Sequence, residues 1–157
     1  MIGPERRMKP WLKKLLITGL VLLIGGGVAV WYIFTEKFSD TSDREAAYTV
    51  NANDFLNEFQ KNDSLSNLKY KEKIITINGR VSETEAADTT INIKMIDTAT
   101  SAYIIFAFQQ QHLQEAKQLK EGDSVSIKGS CSGGTYSEIL ETIHVDFKRC
   151  AVNKTKK

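Results

Sequence analysis

The 157-residue chain predicts a mainly-β domain of five strands, with one helix between strands three and four, another helix ahead of the first strand, and a membrane-spanning helix at the N-terminus. Three observations predict it. Leu15–Phe34 runs for twenty residues without a charge, LLITGLVLLIGGGVAVWYIF. From Ile74 onward, apolar residues recur with the period of two that belongs to strands. That period is interrupted once, at Gln110–Lys120, where Leu113, Ala116 and Leu119 recur at helical spacing before Gly122.

The first element is the apolar run. Twenty helical residues rise about 30 Å, the thickness of a bilayer's hydrocarbon core. Trp11 and Trp31–Tyr32 fall at its two ends, where amphipathic rings sit at the water interface. Arg6, Arg7, Lys9, Lys13 and Lys14 precede it against one Glu5, whereas Glu36, Lys37, Asp40, Asp43, Arg44 and Glu45 behind it nearly cancel. The positive-inside bias then holds the N-terminus in the cytoplasm and exports the rest of the chain, giving an inner-membrane protein with its domain in the periplasm or otherwise outside the cytoplasm. A cleaved signal peptide is the alternative, with Gly27-Val28-Ala29 in small-x-small form. Cutting there exposes Val30–Phe34 as an apolar new terminus, whereas an uncut helix buries them in lipid. A lipoprotein needs a Cys directly after the apolar run, and Cys131 and Cys150 lie far downstream.

The chain therefore divides into a cytoplasmic basic segment (1–14), a spanning helix (15–34), a polar stalk (35–46), a domain (47–152) and a disordered tail (153–157). About 112 residues come after the anchor and stalk, enough for one small domain. Residues 1–45 hold seven of the 21 Lys/Arg and five of the 19 Asp/Glu, so the remainder carries fourteen of each and is formally neutral. A protein that tracks a phosphate backbone ordinarily carries a net basic footprint, which disfavours nucleic acid as partner.

Within the domain, Asn51 stands as N-cap and Asp54 at N3 of a helix running to about Lys61, with Phe55, Leu56 and Phe59 on its apolar face and a shorter turn around Leu65–Leu68. Ile75, Ile77, Gly79 and Val81 line one face of a first strand, with a bulge or bend expected at Gly79. Polar Ser82–Asp88 is expected to turn the chain into a second strand carrying Ile91, Ile93 and Met95 on one face and Asn92 and Lys94 on the other. Tyr103–Phe108 is apolar on both faces and reads as a third strand covered on both sides. After the Gln110–Lys120 helix, Ser124–Cys131 is the fourth strand; Gly133-Gly134 is expected to turn it into a fifth carrying Ile139, Ile143, Val145 and Phe147.

Three strands, a helix and two strands in about eighty residues is the chain order of the OB-fold, a five-stranded, partly open barrel. Tyr70-Lys71-x-Lys73-Ile74 leading into Ile77-x-Gly79-x-Val81, then Leu119-x-x-Gly122-Asp123-x-Val125-x-Ile127-x-Gly129-x-Cys131-x-Gly133 and a late Cys150, resembles the anticodon-binding-like (tRNA_anti-like) OB-fold family over roughly Ala47–Val152. The resemblance implies the fold and a bacterial, membrane-anchored or lipoprotein-type protein, and it implies no biochemical role.

Few residues offer chemistry. Gly129-Ser130-Cys131-Ser132-Gly133 has the shape of a nucleophile elbow, but it joins strand to strand and only His112 and His144 are available as base. Neither histidine has a second ligand at metal spacing, so no catalytic residue, metal or cofactor is expected. Glu83, Glu85 and Asp88 read as a solvated turn. OB-folds bind across the face of their second and third strands, where Tyr103, Asn92 and Lys94 form the candidate ligand face. The competing expectation is that Phe55, Leu56 and Phe59 cover Tyr103 and Ile105.

Two lines of reasoning compete over Cys131 and Cys150. An oxidising compartment and a count of two favour a disulfide, whereas a simple hairpin turning at Gly133-Gly134 sets Cys131 opposite Tyr136. The Gly- and Ser-rich Ser130–Ser137 segment could fold back and satisfy both, and a bridge is expected. The functional expectation is a non-enzymatic, membrane-anchored module that binds an envelope protein, peptide or glycan; the alternative is single-stranded or tRNA-like nucleic-acid binding, and a small hydrolase lacks convergent acid, base and nucleophile.

Overall fold

The computed structural model describes residues 9–35, 40–87 and 89–153. Two compact units divide it, Met1–Phe38 and Ser39–Lys157. The first contains α1 (Pro10–Thr35), a helix that begins five residues before the expected span, with Pro10 at its first turn, where a missing N–H costs nothing. Pro10–Tyr32 has a mean hydropathy of 2.1 and is long and apolar enough to cross a membrane.

The second unit holds the whole buried core and so carries what it needs to fold by itself. It begins with a three-residue 3-10 turn (Thr41–Asp43), β1 (Tyr48–Asn51), α2 (Ala52–Lys61) and α3 (Asp63–Tyr70). The sheet elements come next: β2 (Ile74–Arg80), β3 (Glu83–Ala86), β4 (Ile91–Ile96), β5 (Tyr103–Phe108), then a 3-10 turn (Gln110–His112) with α4 (Leu113–Gln118), then β6 (Ser124–Ser137) and β7 (Thr142–Val152). Strand order is β1-β2-β6-β7-β5-β4-β3.

Seven strands stand where five were expected, and the hydrogen bonds explain the difference. The first expected strand does not end at Val81. It changes partners there: the Val81 amide donates to Asp123 O beside β6 (2.9 Å), whereas the Ser82 amide donates to Lys94 O on β4 (2.8 Å). Ser82 Oγ also accepts from the Ile96 amide at 2.9 Å. β2 therefore pairs with β6, and β3, formed from residues expected to turn, pairs with β4. The two halves of one bent stretch close the ring β2–β6–β7–β5–β4–β3 into an OB-like barrel. The seventh strand is β1, a short parallel addition beside β2.

The glycines act by close approach where a bend and a turn were expected. Gly79 stays in regular register with Val125, and a Cβ there would lie 2.6 Å from Met95 Sδ and 2.9 Å from Ala52 Cβ. Gly133-Gly134 does not turn the chain: β6 passes through it with a register shift, Gly133 at φ +113°. A Cβ on Gly134 would stand 2.5 Å from the Phe59 ring. The hairpin instead turns between Ser137 and Thr142, with Ser137 Oγ accepting from the Leu140 amide (3.3 Å) and Glu141 at φ +50°.

Phe55, Leu56 and Phe59 of α2 are fully buried at one end of the barrel, where Phe55 meets Tyr70 (4.9 Å between ring centroids) and Phe147 (5.7 Å). Asn51 occupies the N-cap position of α2 without capping it; its amide donates to Asp54 Oδ2 at 3.4 Å instead. Tyr70 is buried with its hydroxyl donating to Glu58 Oε2 (2.9 Å).

The expected stalk is also different. Its residues 36–39 lie outside the described residues, but 40–47 pack on the barrel: Thr41 is buried, Lys128 Nζ donates to the carbonyls of Ser42 (3.2 Å) and Arg44 (3.0 Å), and the Ala47 amide donates to Ile74 O (2.8 Å). His112 Nε2 meets both oxygens of Asp40 at 2.9 Å while its Nδ1 is 3.3 Å from Glu115. Apart from the Ala47–Ile74 bond, these contacts come from residues seventy or more positions away, and nothing in the segment's own composition announces them. Residues 154–157 of the expected tail, Arg6 and Arg7 of the basic segment, and Asp88 lie outside the described residues.

Candidate binding face

β4 and β5 alternate strictly between buried and half-buried residues, so Ile91, Ile93, Met95, Ile104, Phe106 and Phe108 fill the barrel while the intervening residues point outward. This corrects the expectation that Tyr103–Phe108 is covered on both faces. Register sets two rows across the outer face: Glu83, Lys94, Ile105 and Asp146 in one, Ile96, Tyr103 and His144 in the next, with Asn92 opposite Glu85 and Ala107. The expected Asn92, Lys94 and Tyr103 therefore share one surface. The expected cover of Phe55, Leu56 and Phe59 lies elsewhere, sealing the barrel end, and the face stays open.

At its centre the Tyr103 and His144 rings stack, centroids 5.7 Å apart and planes 17° apart. His144 Nδ1 is buried without a hydrogen-bond partner among the described residues, and its Nε2 lies 3.9 Å from Asp146. Lys94 Nζ stands 5.9 Å from the Tyr103 centroid, hydrogen-bonded to Glu85 and 3.5 Å from Glu83. The Glu85 hydrogen bond is the main reason that Lys94 holds its proton more tightly than an ordinary lysine. Two carboxylates thus flank one ammonium, with Asp146 beside His144, and the face presents a flat ring pair in a setting that repels phosphate.

The remaining candidates take other roles. Cys131 and Cys150 are both buried free thiols. The expected bridge is not formed, because β6 runs straight on: Cys131 pairs with Phe147 and Cys150 lies across from Phe108, so the two sulfurs sit at different levels of the sheet. Burial pushes the Cys131 thiol up to about 11, opposite to what a nucleophile needs. His112 is the anchor of Asp40 described above. No group of three His, Cys, Asp or Glu among the described residues has metal-binding geometry.

The sequence reading missed a groove at the barrel mouth. Asn51, Asn53, Asn78, Arg80, Ser82 and Ile96 line a cleft of about 550 Å³, and a shallower extension of about 380 Å³ shares Asn51 and Asn78 and reaches Ser124 and Ser126. Parallel pairing of β1 with β2 sets Asn51 directly beside Asn78, and that pairing is what sequence periodicity does not show. Ile96 belongs to both the cleft and the outer face, where it pairs with Tyr103.

The tRNA_anti-like family model matches residues 7–142. The fold is similar to the crystal structure of a putative nucleic acid-binding lipoprotein from Klebsiella pneumoniae subsp. pneumoniae, with a TM-score of 0.54 at 17% identity over 67% of this chain and 91% of that one. Asparaginyl-tRNA synthetase from Pyrococcus horikoshii matches at a TM-score of 0.37 and 15% identity, over 57% of this chain and 21% of its own. Aspartyl-tRNA synthetase from Entamoeba histolytica matches at 0.39 and 12%, over 57% and 20%. The chain spans about a fifth of those synthetases, and the likeness to the lipoprotein bears on fold alone. No curated protein matches the chain. A family match over most of the chain, together with the OB-like barrel, establishes that the chain belongs to the tRNA_anti-like family.

Proposed function

We propose that this protein is a single-pass membrane-anchored binding module, without enzymatic activity, that presents its OB-like barrel outside the cytoplasm to an envelope protein, peptide or glycan. The observation that carries the reading is the open outer face of β4, β5 and β7 with the stacked Tyr103–His144 pair at its centre. A half-buried stacked ring pair on the outward side of strictly alternating strands offers a flat surface on which a partner can pack. The apolar α1 and the excess of Lys and Arg ahead of it support the anchor and its direction. Nucleic-acid binding is the second reading, favoured by the name of the Klebsiella lipoprotein and opposed by the carboxylates around Lys94 and the neutral charge of the domain.

The test compares full-length protein with its Tyr103→Ala/His144→Ala variant as bait in detergent-solubilised membranes. A partner retained by the wild type and lost from the variant supports the reading; equal retention on both, or none on either, contradicts it.

A further inference from the structure

The groove beside the outer face has a chemistry of its own. Asn53, Asn78 and Arg80 make no side-chain hydrogen bond or ion pair among the described residues, and Asn51 makes one long bond of 3.4 Å to Asp54. Several comparable groups elsewhere in this domain are engaged: Asn62 caps α3, Asn67 both donates to and accepts from the Gly134 backbone, and Lys128 binds two carbonyls. Unspent carboxamides gathered in one concavity are groups available to a ligand.

Their type narrows the ligand. A carboxamide offers donors and an acceptor side by side, which is what an alcohol needs, because each hydroxyl both donates and accepts. Three carboxamides, the Ser82, Ser124 and Ser126 hydroxyls, one guanidinium and the Asp54 carboxylate make a lining that is polar and close to neutral. Val81, Met95 and Ile96 add apolar surface to the lining, and Ile96 is the cross-strand neighbour of Tyr103. A sugar ring has the same two characters, hydroxyls at its rim and C–H groups on its faces, and the latter pack on aromatic rings. The groove is elongated, with about 380 Å³ on one side of the Asn51–Asn78 pair and about 550 Å³ on the other, which suits a chain rather than a single small molecule.

We infer that the Asn51–Asn78–Arg80 groove, which reaches the outer face at Ile96 beside Tyr103, binds a linear neutral oligosaccharide. The inference rests on the binding-module reading and narrows its three partner classes to one. Single-stranded nucleic acid fits less well because Glu83, Glu85 and Asp146 border the same platform.

The test uses the unit Ser39–Lys157, which contains the entire core. Cellohexaose, maltohexaose and chitohexaose are titrated separately while amide spectra follow the side-chain NH₂ groups of Asn51, Asn53 and Asn78; dT15 is a fourth probe. At least one hexasaccharide is expected to move those signals saturably. Asn78→Ala, Arg80→Ala and Tyr103→Ala should each weaken that binding tenfold or more, whereas Glu121→Gln should leave it unchanged. Arg80 is exposed and Asn78 half-buried at the groove, so unchanged spectra elsewhere verify the fold of each variant. No saturable shift with any hexasaccharide overturns the inference. If dT15 alone binds, in a salt-sensitive way and through Tyr103, the oligosaccharide assignment fails and the nucleic-acid reading replaces the first; if no probe binds, the oligosaccharide assignment alone falls where the membrane capture succeeds, and both fall where it fails.

Discussion

Single residues set the tightest constraints in this barrel. Gly134 lies where a Cβ would be 2.5 Å and 2.6 Å from two Phe59 ring atoms and 3.0 Å from Val145, all inside the core. Gly134→Ala should therefore cost about 1–3 kcal/mol, read as a lower urea midpoint at unchanged slope. Gly122, at φ +88° with open space around it, should lose only about 1 kcal/mol on the same change, from backbone strain. Glu58 gives a pH signature. The Lys69 hydrogen bond at 2.8 Å is the main reason its carboxyl titrates below the ordinary 4.5, with the Tyr70 hydroxyl adding to it and burial opposing. Because the folded value is the lower one, this stability is complete above the unfolded value and drains away as pH falls through the folded one. Both partners are 43% exposed, so solvent screening holds the effect to no more than about 1 kcal/mol. Between about pH 6 and about pH 3 the wild type should lose more stability than Glu58→Gln; equal losses would show that the pair contributes nothing. The thiols give a third outcome: Cys131 and Cys150 should resist alkylation in folded protein and both react after unfolding, whereas a mass two protons lighter before reduction would show a bridge.

At the scale of elements, some of the architecture was legible and some was not, for reasons that particular residues show. The alternation of Ile91, Ile93 and Met95 with Asn92 and Lys94 is a local pattern, and β4 with its outward pair arises from it directly. The helix carrying Phe55, Leu56 and Phe59 was equally legible, but where its face packs was not, because that depends on Phe147 and Tyr70 from other elements. β3 escaped because Glu83–Ala86 has no buried apolar residue, and becomes a strand only through pairing with β4. Gly133-Gly134 misled in the opposite direction: two glycines signal a turn in isolation, yet here they accommodate Phe59 and a register shift. The segment 40–47 is held by the Asp40–His112 and Lys128 contacts, none of them local. Asp40→Asn should therefore speed amide hydrogen exchange at Ser42–Arg44 while shifting the unfolding midpoint by less than about 1 kcal/mol; unchanged exchange would contradict the docking.

At the scale of the molecule, two units with separate physical logic share one chain. α1 is apolar from Leu15 onward and, by length and composition, long and apolar enough to cross a membrane. The barrel buries its own core and carries two features outside it, the half-buried Tyr103–His144 stack and the carboxamides of the groove. The OB order was readable from the sequence because the element sequence survives even where strand edges were misplaced. The groove was not, since Asn51 and Asn78 are twenty-seven positions apart and meet only through parallel pairing. The central claim is that the outer face of β4, β5 and β7 is where a partner sits. Its most direct measurement is photo-crosslinking in native membranes, with p-benzoylphenylalanine replacing Tyr103 in one full-length variant and Glu121, on the loop after α4, in another. A partner on that face should give a discrete adduct from position 103 and none from 121; adducts of equal yield at both positions, or none at 103, would contradict it.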